Sequence, residues 1–273
     1  MKMIRILSFS MSLFVAAVSS LFFIFTPVFA DESEELAKKL ANPVASLISV
    51  PFEYDYDSDI GPTDGGHRWT ITTKPVIPFS LNEEWNLITR TIVAYVNQED
   101  LLPNLGTQNG LSDLQMSFFL SPKAPVHGLI LGAGPVLVFP TASDDLLGSE
   151  KWSAGPTGVA LKQQGQWTYG LLVQHVWDYA GEDDRDSVNN TLLQPFASFT
   201  TKTATTFTLQ TEAVYNWRNE EWAVPINATV SQVLKLGTQL IQLKLGARYW
   251  AESSETGPEG WGFKAGIVFL FPK

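Results

Sequence analysis

Residues 206–217 read TFTLQTEAVYNW, and this stretch decides the fold. Thr206, Thr208, Gln210, Glu212 and Asn216 alternate with Phe207, Leu209, Ala213, Tyr215 and Trp217. A period of two is what a strand with one polar and one apolar face requires, because successive side chains point to opposite sides of a sheet. The pattern returns at Gln242, Lys244, Gly246 and Arg248, which alternate with Ile241, Leu243, Leu245 and Tyr249. Read along the chain, it predicts strands over 44–57, 67–79, 85–97, 111–121, 128–139, 153–163, 167–179, 189–201, 204–217, 222–234, 239–251 and 260–271, twelve in all. No sustained helical period interrupts them. The one helix expected is short, over Glu34-Glu35-Leu36-Ala37-Lys38-Lys39-Leu40, and it stops at Asn42-Pro43.

The connections alternate in character. Those at 80–84, 122–127, 164–166, 202–203 and 235–238 are short, whereas those at 58–66, 98–110, 140–152, 180–188, 218–221 and 252–259 are mostly longer and acidic. Tilted antiparallel strands with tight turns at one end and long loops at the other are the grammar of a transmembrane β-barrel. Lipid offers no hydrogen bonds to a free sheet edge, so such a sheet must close, and an even strand count returns both termini to the tight end. Trp69, Trp167, Tyr169, Tyr215, Trp217, Trp222, Tyr249 and Trp261 fall near strand ends, where amphipathic rings form interfacial girdles. A soluble sandwich or lipocalin-like barrel would have to bury all the bulky apolar faces and show water a surface with few charges within its strands. Pro75, Pro135, Pro156, Pro195 and Pro225 lie inside the expected strands and require bulges or shifted boundaries.

Residues 1–30 carry a basic start at Lys2 and Arg5, an apolar run over 13–25 and the small residue Ala30. This reads as a secretory signal peptide and gives an exported protein, with the short helix and a linker over 31–43 and the barrel over 44–273. Without Lys2 and Arg5 the formal charge moves from −10 to −12, a poor surface for nucleic acid. The chain has no Cys, which removes disulfides and thiolate chemistry.

The blocks TTKPVIPFSLNEEWNLITRTI (72–92), DDLLGSEKWSAGPTGVALKQQGQWTYG (144–170), LQPFASFTTKTATTFTLQTE (193–212) and RYWAESSETGPEGWGFK (248–264) resemble a bacterial family. That family is described as outer-membrane transporter-like, is labelled as belonging to a MetA pathway of phenol degradation, and often carries a mistaken neuromedin U name. The resemblance implies an outer-membrane barrel with a proposed role in the transport of small compounds, aromatic or anionic ones among the candidates; it brings no catalytic or binding residues to carry over. Lys264, Gly266, Phe269 and Phe271 are also similar to the final-strand signal read by outer-membrane assembly machinery, displaced two residues by Pro272-Lys273.

Function in such a protein is expected in the lumen. The alternation turns Lys244, Arg248 and Lys264 inward on strands eleven and twelve, Arg68 and Lys74 on strand two, and Glu53 and Asp55 on strand one; Asp113 and Glu212 lie on other strands. Walls of charge tune pore selectivity, and a basic wall favours anions. The same carboxylates could instead neutralise the bases in ladders that fill the barrel. Asp55-x-Asp57-x-Asp59 lacks the Gly and bidentate Glu of a calcium loop and reads as an acidic outer loop. His175 in LVQHVWDY raises a membrane-embedded hydrolase as the alternative, but Trp177 stands where a Ser nucleophile is wanted. A non-transporting surface barrel is the other alternative. No cofactor or metal is expected; the partners expected are lipid, the assembly machinery and a small solute.

Overall fold

The computed structural model describes residues 30–101, 106–254 and 256–272, so the expected signal peptide, Ala30 excepted, lies outside the described residues. Helix α1 (Ala30–Leu40) precedes a sheet of twelve barrel strands. These are β1 (Ile48–Ile60), β2 (Gly66–Thr73 and Val76–Ser80), β3 (Trp85–Glu99), β4 (Gln108–Leu111 and Leu114–Pro122), β5 (Ile130–Phe139) and β6 (Lys151–Gln164). They continue with β7 (Trp167–Gly181), β8 (Asn189–Thr200), β9 (Thr205–Thr211 and Ala213–Asn216), β10 (Glu221–Leu236), β11 (Gln239–Glu252) and β12 (Gly260–Phe271). Each strand pairs antiparallel with the next, and β1 pairs with β12 from Ile48 opposite Phe271 to Tyr56 opposite Phe263. The sheet is therefore closed, and both ends of the cylinder wall meet at the tight-turn end.

The wall is inside-out relative to a soluble protein. Along β1, Glu53, Asp55 and Asp57 are buried while Phe52, Tyr54 and Tyr56 are exposed. The same inversion leaves Trp167, Leu171, Phe207, Leu209 and Trp261 outside and Thr168, Gln174, Ser198, Thr206 and Gln242 inside. An apolar exterior on a closed antiparallel sheet is what a bilayer requires. Rings gather in belts at both ends. Trp69 stacks on Tyr54 and Tyr95 at 6.4 and 5.7 Å, and Tyr215 packs against Trp217 and Trp222, each at 4.9 Å. At the tight end Trp167 meets Phe199 at 5.1 Å.

The prolines are absorbed in four ways. Pro75 splits β2, and Pro225 sits at a bulge where Val224 faces Glu252 and Pro225 faces Trp250. Pro195 lies where the β8–β9 pairing lapses between Leu193–Ala213 and Phe196–Gln210, which is the break that isolates Glu212. Pro135 and Pro156 face each other in an unbroken β5–β6 ladder, so their missing N–H groups turn toward the outer neighbours. There the β4–β5 ladder skips from Ser117–Val136 to Leu120–Ala133, and the β6–β7 ladder from Ala154–Trp177 to Thr157–Gln174. At each skip a glycine precedes the proline and the strands crowd together. A Cβ on Gly134 would stand 2.0 Å from the Phe118 carbonyl oxygen, and one on Gly155 1.8 Å from that of His175.

The first expected strand begins later than its apolar pattern implied. Residues 44–47 are not wall; they fold into the lumen, with Ala45 and Leu47 packed beside Leu36 and Ala37 of α1 and against Ala204, Val233, Val268 and Leu270. Val44 joins a second cluster with Ile88, Phe119, Val159, Leu161, Leu172 and Phe196. Val268 and Leu270 are on the inward face of β12, so α1 lies inside the tight-turn mouth. Its outer side is braced by Glu34–Lys38 and Glu35–Lys39 pairs at 2.6 and 2.8 Å, and Gln163 of β6 donates to the Lys38 carbonyl oxygen at 2.9 Å.

Gly155→Val forces the crowded β6–β7 crossing apart and is expected to cost about 1–3 kcal/mol. The check is the temperature at which the fast-migrating folded band converts to the slow unfolded one in electrophoresis. Gly158→Ala, whose nearest neighbour would be 3.8 Å away, is expected to leave that temperature unchanged.

Candidate functional site

Four adjacent strands supply the chemistry at the closure seam. Because β1 alternates strictly, Glu53, Asp55 and Asp57 form an acidic column pointing into the lumen, and β11, β12 and β2 answer with bases at matching heights. Lys244 and Lys74 approach Glu53 at 2.6 and 2.9 Å. Lys264 donates to Asp55, which also accepts from Arg248 at 3.2 Å. Arg248 reaches Asp57 at 3.0 Å and donates from Nε to Asn227 Oδ1 at 3.0 Å; Trp250 Nε1 donates to Asp57 at 2.9 Å. Arg68 stands 3.8 Å from Asp57. On the far side, Glu212 sits at the break in β9 that faces Pro195, 3.6 Å from Lys74.

Glu53, Arg68, Lys74, Glu212, Lys244, Arg248 and Lys264, all expected inward from the alternation, thus meet in one cluster with Asp55. Asp113 is not part of it. Although it lies on β4's inward phase, it occupies the interruption of that strand, and its carboxylate accepts from Ala142 N at 3.1 Å, Ser149 N at 2.8 Å and Ser149 Oγ at 2.8 Å. It fastens the loop over 140–150, which Arg185 clamps from the next loop through Gly148 O at 2.8 Å and Glu150 at 3.0 Å. Asp57 is a correction of the other kind. The acidic-loop reading put it outside, but β1 runs on to Ile60 and leaves Asp57 2% exposed among cations.

Arg90 of β3 was not among the expected residues. Val76 and Ser117 are its ladder partners, which puts it on the inward face beside Lys74. Its signal in the sequence was weak, because Ile88 and Ile92 flank it on that face and Thr89 and Thr91 on the other. Among the described residues, Arg90 has no carboxylate within ion-pairing distance. With it the lumen cluster holds six cations, Arg68, Lys74, Arg90, Lys244, Arg248 and Lys264, against Glu53, Asp55, Asp57 and Glu212.

This cluster divides the lumen. On the long-loop side is a vestibule of about 480 Å³; on the tight-turn side a smaller cavity of about 190 Å³ is floored by Ala37, Leu40, Ala41 and Pro43 of the N-terminal segment. Lys74, Arg90, Gln194 and Glu212 line both, so they form the neck between the two compartments.

His175 belongs to the outer aromatic belt. Its Nδ1 shares a hydrogen bond of 2.8 Å with Thr191 Oγ1, which also accepts from Trp217 Nε1 at 2.7 Å, and its ring lies 5.3 Å from Trp177. Lys264 and Gly266 are lumenal, while Phe271 is exposed on the outer wall and Phe269 meets Phe52 edge-on at 6.2 Å.

A closed twelve-stranded antiparallel barrel with an apolar exterior, girdled ends and an occupied mouth is the architecture of outer-membrane β-barrels. The fold is similar to that of an outer-membrane channel from Pseudomonas putida F1, with a TM-score of 0.64 at 15% identity over 84% of this chain and 97% of that one. It is also similar to the NanC porin, with a TM-score of 0.50 at 11% identity over 81% of this chain and 98% of that one. No protein-family model and no curated protein matches the sequence.

Asp55→Ala leaves Lys264 buried without its carboxylate and is expected to cost about 3–5 kcal/mol, because an uncompensated buried charge is far worse than a paired one. Adding Lys264→Met is expected to restore most of that loss. Urea unfolding in lipid or detergent, followed by tryptophan fluorescence, checks both.

Proposed function

We propose that this protein is an outer-membrane channel for small molecules, exported by a signal peptide and inserted by the assembly machinery that reads its last strand. The observation that carries this reading is the pair of lumenal cavities that share the charged lining residues Lys74, Arg90 and Glu212. The likeness of its fold to proteins described as a channel and a porin supports it. Kinship with the phenol-degradation family resembled by residues 72–92, 144–170, 193–212 and 248–264 belongs to the same proposal. The solutes would be small, and the excess of cations at the neck would favour anions over cations.

On the tight-turn side α1 narrows the path. Ala37 is fully buried in the apolar cluster that seats the helix and also borders the inner cavity. A hydrolase would need a group to orient His175 from its other ring nitrogen and donors for an oxyanion. The belt of Trp177, Trp217 and Thr191 around it is that of an interfacial anchor instead.

In planar bilayers the protein is expected to show small, anion-preferring currents. Ala37→Asp, which puts a charge into the helix seat, is expected to raise the conductance several-fold without loss of the folded electrophoretic band. Equal, negligible currents from both folded proteins would contradict the channel reading.

A further inference from the structure

The vestibule is two-natured. Its floor is the neck lined by Lys74 and Arg90, and one wall above Arg90 is a column of apolar side chains. Ile92, Ala94 and Val96 follow Arg90 at alternate positions on β3, so they rise in line on the same inward face, and all are incompletely buried. From Arg90 to Val96 the column is about 20 Å long at 3.3–3.4 Å per residue. Leu192 of β8 and Val214 of β9 line the same space. Leu146 and Leu147 border it from the loop over 140–150, and Leu146 is 51% exposed despite the fastening of that loop by Asp113 and Arg185.

Most polar groups here are already engaged. The Gln115 and Gln174 amides bond each other reciprocally at 3.3 and 3.2 Å, and the carboxylates of the seam are held by Lys244, Lys264 and Arg248. Of the charged groups lining the vestibule, Arg90 is the one without an ion pair among the described residues. A guanidinium without a carboxylate offers a planar fork of donors that fits a carboxylate oxygen pair. Apolar side chains left facing a cavity gain from being covered by an apolar ligand, and a few polar groups then fix its orientation.

We propose that the vestibule binds an amphiphilic monoanion, a carboxylate with an apolar body, whose head group sits on Arg90 and Lys74 and whose body lies along Ile92, Ala94 and Val96 beneath Leu146 and Leu147. The inference deepens the channel reading by assigning a solute class to the neck, and it rests on that reading for its physiological sense, although binding can be measured without transport. A sugar acid would leave the apolar column uncovered, and a neutral apolar molecule would leave Arg90 without a partner.

The test is calorimetric titration of the full-length mature protein in lipid nanodiscs at pH 8, with empty nanodiscs as the reference for partition into lipid. Octanoate is the probe, and acetate, octanol and octyltrimethylammonium are the comparisons. Octanoate is expected to bind saturably at one site per chain, with the three comparisons each about tenfold or more weaker. Arg90→Gln is expected to weaken octanoate by about tenfold or more and to leave octanol unchanged. Ile92→Asn is expected to weaken octanoate while leaving acetate as it was. Both variants must retain the folded band, and Arg90→Lys, which keeps the charge, is expected to recover part of the affinity. Octanoate heats no larger than lipid partition, equal binding of the cationic probe, or full affinity in folded Arg90→Gln would overturn the proposal. Octanoate binding with no current in any variant would retain the site and remove the channel; currents with no octanoate binding would do the reverse.

Discussion

Everything in this molecule depends on the seam where β1 meets β12. A sheet in lipid cannot keep a free edge, and this one closes where an acidic column on β1 meets bases on both flanking sides. Asp55 between Lys264 and Arg248, and Glu53 between Lys244 and Lys74, bind the first strand to the last two and to the second. Those contacts are ionic and hold side chains that are buried at the seam, and they are specific because a slip of one residue would turn three carboxylates into the bilayer. Closure and lumen chemistry are therefore one feature: the residues that fix the register also furnish the charged neck.

The rest of the interior follows from what the neck does not fill. Toward the tight turns, the lumen is packed by Phe119, Ile88, Leu161 and their neighbours, with α1 and residues 44–47 completing the plug. Toward the loops, Gly134 of β5 and Gly155 of β6 contribute no side chains to the interior, which leaves room for the Gln115–Gln174 pair to meet across two strands. The loop over 140–150 narrows this end, and its fastening to Asp113 makes it a fixed border.

The wall of the barrel was legible in the sequence because its signal is local. Alternation places each strand, short and long connections place its ends, and the inward bases on β2, β11 and β12 come directly from the phase. Three things were not local. Asp57 looked like loop because it stands in a run of alternate aspartates, and only the partners Arg248 and Trp250, on a strand nearly two hundred residues away, keep it in the wall. Arg90 was hidden because both faces of β3 mix apolar with polar residues, so no phase stood out. The place of residues 30–47 could not be read from their own pattern, since an amphipathic helix does not declare whether its apolar side meets a lumen, a membrane or a partner.

The central claim is that one phase of each strand faces a water-accessible lumen and the other faces lipid, on β3 as well, where the lumenal phase over 91–96 is the apolar Ile92, Ala94 and Val96. The chain has no native cysteine, so single cysteines placed in turn at residues 91–96 of β3 can be scored for reaction with a charged, membrane-impermeant thiol reagent in sealed proteoliposomes. Labelling is expected at positions 92, 94 and 96 and not at 91, 93 and 95. Labelling in the opposite phase, or at every position alike, would contradict the account.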